Sequence, residues 1–302
     1  MSRLRLGTRG SALALAQARI VADALGGAEV VPIKTAGDET ERRTAPVAGG
    51  DKARFVREIE LALLAEEVDL GVHSAKDLPS ELPDELRLAG VPPREDPADA
   101  YVGGAASLSE LPEGTRIGTS SLRRRAQLLA LRPDLSVQEL RGNVDTRLRR
   151  RADGEVDGVV LAAAGLRRLD REGEVAFRFD AEQMTPAAGQ GALALEARRG
   201  DEAAAGAAAG ISDAAALVEL TAERAAVAAL DATCRTPVGV RAELSDAGVR
   251  VDAFVGLPDG SEWVRDTVEG GADDSVSLGR GLAERLLAAG AGEILQRADV
   301  TP

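Results

Sequence analysis

One cysteine, Cys234, and one histidine, His73, stand in 302 residues. A single cysteine excludes an internal disulfide. Together the two leave no ordinary zinc site, which draws its ligands mainly from these residue types. A reducing cytoplasm fits such a chain. Aromatic residues amount to 2%, so the core must be built from Ala, Leu and Val. Base stacking on aromatic platforms is then a poor route to nucleic acid. No apolar run approaches the ~18 residues that a membrane span needs. Met1 to Arg5 leads straight into a strand-like segment with no long apolar stretch behind it, so no signal peptide is expected. Lysine occurs only as Lys34, Lys52 and Lys76; the remaining positive charge is Arg, within a bias that also inflates Ala. Net positive charge is lacking too. The formal charge of −13 makes a poor general binder of DNA or of anionic membranes.

What is present is globular: 44% hydrophobic and 29% charged residues. The length exceeds what one core normally spans, so two or three domains are expected. Leu4 to Thr8 reads as a strand, Ser11 to Leu25 as a helix with an apolar face, and Glu29 to Lys34 as a second strand. A Gly- and charge-rich loop from Ala36 to Ala53 is too long for an ordinary connection. A helix over Phe55–Glu66 then precedes the strand Val68–Val72. Alternating strands and helices imply an α/β domain with parallel pairing.

Pro92 to Pro97 reads as a linker, after which the alternation restarts: strand Arg116–Thr119, helix Ser121–Leu131, strand Ser136–Leu140, helix Asn143–Arg151, strand Asp157–Leu161. Thr185 to Gly191 reads as a second linker, followed by a strand over Ala192–Glu196. Two linkers around a middle block predict a discontinuous first domain, 1–93 with 190–210, around a second, 94–189. The remainder, 211–302, differs. A long Ala-rich helix near Asp213–Leu230 precedes Cys234. Three strand-like runs follow, with Pro258-Asp259-Gly260 as a hairpin turn between the last two, and then a helix near Val276–Ala289. This is a small α+β domain.

The chain is read around Gly71-Val72-His73-Ser74-Ala75-Lys76-Asp77-Leu78-Pro79. A buried strand ends near His73 and Pro79 stops regular structure, which places Lys76 and Asp77 at the carboxyl end of a strand, where open α/β sheets hold ligands. A cation beside a carboxylate suits an acidic substrate and a moving proton. Equally, a solvated Lys–Asp pair in a turn, with Asp77 as a cap, is ordinary. Leu6 to Ser11 and Ile117 to Ser121 each put small polar residues where a helix opens, offering free N–H groups to an anion or simply capping the helix.

Arg116 to Arg151 holds ten arginines against three acids. Arg123-Arg124-Arg125 falls in the first turn of a helix, where cations oppose the dipole; the pattern suits a bound anion. Arg141 lies at the next strand-to-helix turn, and Arg147 one helical turn beyond Asn143. Guanidinium groups grip carboxylate or phosphate bidentately. Nucleic acid or a small polycarboxylate would both fit, and the acidity of the chain favours the latter. Cys234 is flanked by Arg235, which would lower a thiol pKa, although a lone cysteine is most often buried and inert.

Taken together, Arg5 to Ser11, Val72 to Pro79, Arg94 to Pro97, Gly118 to Arg124, Leu140 to Val144, Ala164 to Leu169, Pro186 to Gly191 and Thr221 to Arg224 resemble the hydroxymethylbilane synthase (porphobilinogen deaminase) family, in order and over nearly the whole chain. The resemblance implies two lobes like type II periplasmic binding proteins with a cleft between them, and a third domain whose cysteine, here Cys234, carries a dipyrromethane cofactor through a thioether. It implies head-to-tail condensation of four porphobilinogen units with loss of ammonia, then hydrolytic release of a linear tetrapyrrole, by a cytoplasmic monomer. Asp77 matches the catalytic carboxylate, which would stabilise the azafulvene cation left by ammonia loss. Lys76, Ser121, Arg123, Arg124 and Arg141 match groups that hold the cofactor. Arg9, Ser11, Arg147, Arg168 and Gln190 fall with the substrate. Lys52 matches the family's mobile loop, and Arg57 stands where that loop has a second Lys. The rivals are a solute- or effector-binding protein on the same two lobes, and a nucleic-acid binder using the arginine cluster, which would show steep salt dependence.

Overall fold

The computed structural model describes residues 3–33, 50–233 and 236–300, the side chains of 50–55, 299 and 300 excepted. Cys234 and the side chain of Lys52 therefore lie outside the described residues, as does the segment 36–49 of the expected loop.

The first sheet begins with β1 (Arg5–Arg9), β2 (Glu29–Ile33), β3 (Leu70–Ser74) and β4 (Leu86–Gly90). The chain then crosses and builds a second sheet from β5 (Asp99–Val102), β6 (Arg116–Gly118), β7 (Ser136–Gln138), β8 (Gly158–Ala162) and β9 (Phe177–Arg178). It returns to the first sheet as β10 (Leu193–Arg198). The orders are β2-β1-β3-β10-β4 and β7-β6-β8-β5-β9, which is one topology used twice. In each, a strand just past a crossing segment runs antiparallel to its neighbours: β10 against β3 and β4, β5 against β8 and β9. The expectation of parallel pairing therefore holds only for β1, β2, β3 and for β6, β7, β8.

Helices cover these sheets. Lobe one carries α1 (Ala12–Ala24) and α2 (Gly50–Leu64); lobe two carries α3 (Leu122–Leu131), α4 (Val144–Ala152) and α5 (Ala163–Arg168). Ser11, Ser121 and Asn143 cap α1, α3 and α4, each side chain accepting from an N–H of the first turn. The α2 helix starts at Gly50, inside the stretch expected to be loop. Val56, Ile59 and Leu63 recur at helical spacing and are buried, so Arg57 sits exposed on a helix rather than in a loop. Tyr101 stacks on Phe177 at 4.9 Å, and Phe177 meets Phe179 edge-on at 5.0 Å. The scarce aromatics are thus partly gathered in the second core.

Beyond β10 come α6 (Glu202–Gly210) and the Ala-rich α7 (Ala214–Ala229). A three-stranded antiparallel sheet follows, β11 (Val238–Ser245), β12 (Gly248–Gly256) and β13 (Trp263–Gly270), then α8 (Ser275–Ala288) and α9 (Ala291–Val300). The whole is two α/β lobes with a small α+β domain. That domain grips both crossing segments through one buried cluster. Arg94 meets Glu223 at 2.8 and 3.1 Å and Glu219 at 3.2 Å, and its Nε donates to the Gln190 carbonyl at 3.0 Å. Glu223 also accepts from the Gly189 N–H at 2.6 Å and the Ala242 N–H at 2.8 Å. Burial alone would lower the Arg94 pKa; Glu223 and Glu219 carry it upward instead.

Candidate active site

The carboxyl edge of β3 gives way to a single 3-10 turn, Ala75–Asp77. Leu78 then turns extended, at φ −75° and ψ 132°, because the residue before a proline avoids helical backbone. Ala75 and Leu78 are buried while Lys76 and Asp77 are half-buried, so the two apolar neighbours anchor a turn whose polar pair stays reachable. The Ala75 N–H donates to the Ala192 carbonyl at 3.0 Å. The second crossing segment lies against this turn so closely that a Cβ on Gly189 would come within 2.8 Å of the Ala75 carbonyl carbon. Gly189 also sits at φ +71°, where glycine alone is comfortable.

Gln190 joins the lobes. Its Oε1 accepts from Lys76 Nζ at 3.3 Å, and its Nε2 donates to the Pro97 carbonyl at 2.7 Å and to Asp99 Oδ1 at 3.0 Å. Asp99 in turn is held by Arg123 Nη1 at 2.7 Å and by Arg124 Nε at 2.8 Å and Nη2 at 2.7 Å. All four of Gln190, Asp99, Arg123 and Arg124 are buried. Arg123 also donates to the Thr185 carbonyl, and Arg124 to that of Val160, both at 2.9 Å. The first two arginines of α3 are thus met by a carboxylate of the chain itself. Arg125 is exposed.

Two further cations at this edge, Arg147 and Arg168, have no such carboxylate among the described residues. Arg147 donates to Ser120 Oγ at 3.1 Å, but its buried Nε has no hydrogen-bond partner. Burial, and then repulsion from Arg124, push its pKa down to about 10. Arg168 donates to the Gly191 carbonyl at 2.7 Å; burial lowers its pKa, and Glu95 offsets this only in part. Neither forms a salt bridge with a carboxylate among the described residues. Desolvated cations without counter-anions are costly unless an anion arrives, and a polycarboxylate with several acid groups would fit them. Ser121 lies at the same edge as the cap of α3, where its Oγ accepts from the Arg124 N–H at 3.4 Å.

Arg9 ends β1, and Ser11, whose Oγ accepts from the Ala14 N–H at 3.3 Å, opens α1. Since β1 and β3 are parallel neighbours, both residues share the edge that carries Lys76. Across from it, Leu13 of α1 packs on Gly165 of α5. Arg141 stands apart: it is exposed and its Nε donates to Glu139 at 2.7 Å. Asp99 escaped the sequence reading. Its signal was an acid inside the apolar run Ala98–Val102, which a buried strand tolerates only with cationic partners. No group of three His, Cys, Asp or Glu able to hold a metal occurs among the described residues.

The sequence matches the family description "Porphobilinogen deaminase, dipyromethane cofactor binding domain" over residues 4–206 and "Porphobilinogen deaminase, C-terminal domain" over 217–288. It is 45% identical to the porphobilinogen deaminase of Thermus thermophilus, covering 96% of this chain and 97% of that protein. It is 47% identical to that of Roseiflexus castenholzii, covering 97% and 98%. Among solved structures, the periplasmic aliphatic sulphonate binding protein SsuA of Escherichia coli aligns at 14% identity and a TM-score of 0.38, covering 67% of this chain and 63% of that one.

Proposed function

The chain belongs to the porphobilinogen deaminase family, and from that premise we propose which of its residues carry out the reaction. It is a transferase that condenses four porphobilinogen units head to tail with loss of ammonia, and it releases hydroxymethylbilane by hydrolysis. Its cofactor is dipyrromethane, which when bound supplies the pyrrole end on which the chain of rings is built.

Every pyrrole brings an acetate and a propionate, so a growing product is a polyanion. Arg147 and Arg168 bind these carboxylates, with Arg9, Ser11 and Gln190 at the same edge; the observation that carries this reading is that both arginines are desolvated with no carboxylate of their own. Lys76 and Ser121 face the carboxylates of the cofactor. Arg123 and Arg124, neutralised by Asp99, support that face and Arg141 borders it. Asp77 accepts hydrogen bonds from pyrrole N–H groups, stabilises the cation left when ammonia departs, and passes the proton lost at the new bond. Lys52 and Arg57 serve the approach from α2. Cys234 carries the cofactor by a thioether. We place the domain boundaries at 1–93 with 190–210, 94–189 and 211–302, a division that the three separate sheets support. No single helix among the described residues is long and apolar enough to cross a membrane, and we place the enzyme in the cytoplasm as a monomer, without nucleic acid.

Intact mass tests the reading. The purified protein should exceed its chain mass by two linked pyrrole units, and Cys234→Ser should show the bare mass. A wild-type protein of bare mass that is active without added precursor would overturn it.

A further inference from the structure

We propose that Arg224 is a positioning residue for the reaction: from α7 of the third domain it holds the Lys76–Ser80 turn of the first lobe, so that the helix leading toward Cys234 also sets where Asp77 stands. This rests on the roles given above to Asp77 and Cys234. Nη2 of Arg224 donates to the Ser80 carbonyl at 2.7 Å. The segment from Leu78 to Glu85 has no regular structure, so few ladder bonds restrain it, and this charge-assisted contact ties it to a helix.

The tie belongs to a stripe. Ala216, Leu220 and Arg224 recur every fourth residue and lie on one face of α7. Ala216 and Leu220 pack in one cluster with Ala75 and Leu78, the two residues that bracket Lys76 and Asp77, and with Val56 of α2. The adjacent Glu223 faces the crossing segments instead, through Gly189 and Arg94. One helix thus fixes the crossing segments with one residue and the turn with the next. Burial pushes the Arg224 pKa down, partly offset by Glu196, a buried acid whose Oε2 lies 3.0 Å from His73 Nε2 on β3.

Arg224→Met keeps the apolar stem and removes the donor. It should load cofactor to full mass and keep its KM for porphobilinogen within a few-fold, while kcat falls about tenfold to a hundredfold, the cost of a carboxylate displaced by about an ångström. Amide exchange should quicken in a peptide spanning 75–82 and stay unchanged in β4. Arg224→Lys, still a long cationic donor, should recover most of the lost turnover. Parental kcat in Arg224→Met, unchanged exchange over 75–82, no recovery in Arg224→Lys, or collapse of the fold would each overturn the inference. Asp77→Asn assayed alongside separates the failures. Full turnover there sinks the role of Asp77 itself; lost turnover there, with full turnover in Arg224→Met, sinks only the positioning.

Discussion

Asp99 Oδ2 lies 2.7 Å from Arg123 Nη1, and both side chains are buried. Arg124 shares the same carboxylate, so two buried cations depend on one anion. Burial alone would raise the Asp99 pKa; Arg123 and then Arg124 outweigh it and hold the carboxyl far below the usual range. Through Gln190 this cluster also reaches Lys76. The second lobe's charge centre and the first lobe's turn are thereby connected through buried groups.

Asp99→Asn should therefore be severe. It leaves two guanidinium groups desolvated and unanswered, a loss of about 3–5 kcal/mol. Chemical denaturation of mutant and parent measures it. The pH dependence has a definite sign. A carboxylate with a depressed folded pKa contributes stability above its unfolded value, near 3.8, and loses it as pH falls through the folded value. The gap between parent and Asp99→Asn should stay level from neutral pH to about 5 and narrow only in strong acid. A gap that closes between pH 7 and about 5 would mean that Asp99 is not charged as described.

Arg147 predicts the opposite balance. Removing a desolvated cation that has no carboxylate costs little stability, so Arg147→Ala should melt near the parent temperature. Each lost contact to a ligand carboxylate should cost about 1.5–3 kcal/mol, read as a raised KM or as elongation complexes stalled at partial length in intact mass. Arg150, half-buried on α4 but paired with Glu155 at 2.7 Å, already has its own carboxylate and should be replaceable by Ala with neither effect. Arg141→Ala should fall between, since its side chain is exposed but borders the edge. Equal effects from all three would show that the edge has been assigned to the wrong face of α4.

Much of this was legible in the sequence, for physical reasons. Apolar runs closed by turn residues mark β1, β3, β6 and β8, and Pro79 marks the turn after Ser74. The Ala-rich α7 and the three final strands follow from periodicity and from Pro258-Asp259-Gly260. Strands β4 and β5 did not, because they flank the Pro92–Pro97 stretch, whose prolines and acids read as linker. Nor did the partner of Arg123 and Arg124. A count of charges along the chain shows an excess of cations over Arg116–Arg151, but the acid that answers two of them sits on another strand, and only tertiary packing brings it near. The same holds for Glu223, whose four hydrogen bonds, two from Arg94 and one each from the Gly189 and Ala242 N–H groups, depend on the third domain packing on both crossing segments.

Asp77 is where a structural and a catalytic role part most clearly. Asp77→Asn keeps the size and can still cap a turn, so a purely structural role predicts a stability change within about 1 kcal/mol and near-normal turnover. In the catalytic role the neutral amide cannot stabilise the cation left by ammonia loss, and it is a poor proton acceptor at any working pH. General acid–base action alone is worth about 10²–10⁴-fold, and the missing charge in a partly dry cleft adds to that. The turn itself should survive, because Ala75 and Leu78 anchor it through burial and the Ala75 N–H bonds to Ala192. Turnover should therefore fall at least about a hundredfold, with cofactor still loaded and the melting temperature little changed. Porphobilinogen consumption, intact mass and a thermal melt on one preparation decide it. Turnover within a few-fold of the parent would return Asp77 to the part of a turn residue, and the acid of this site would have to be sought elsewhere along the same edge.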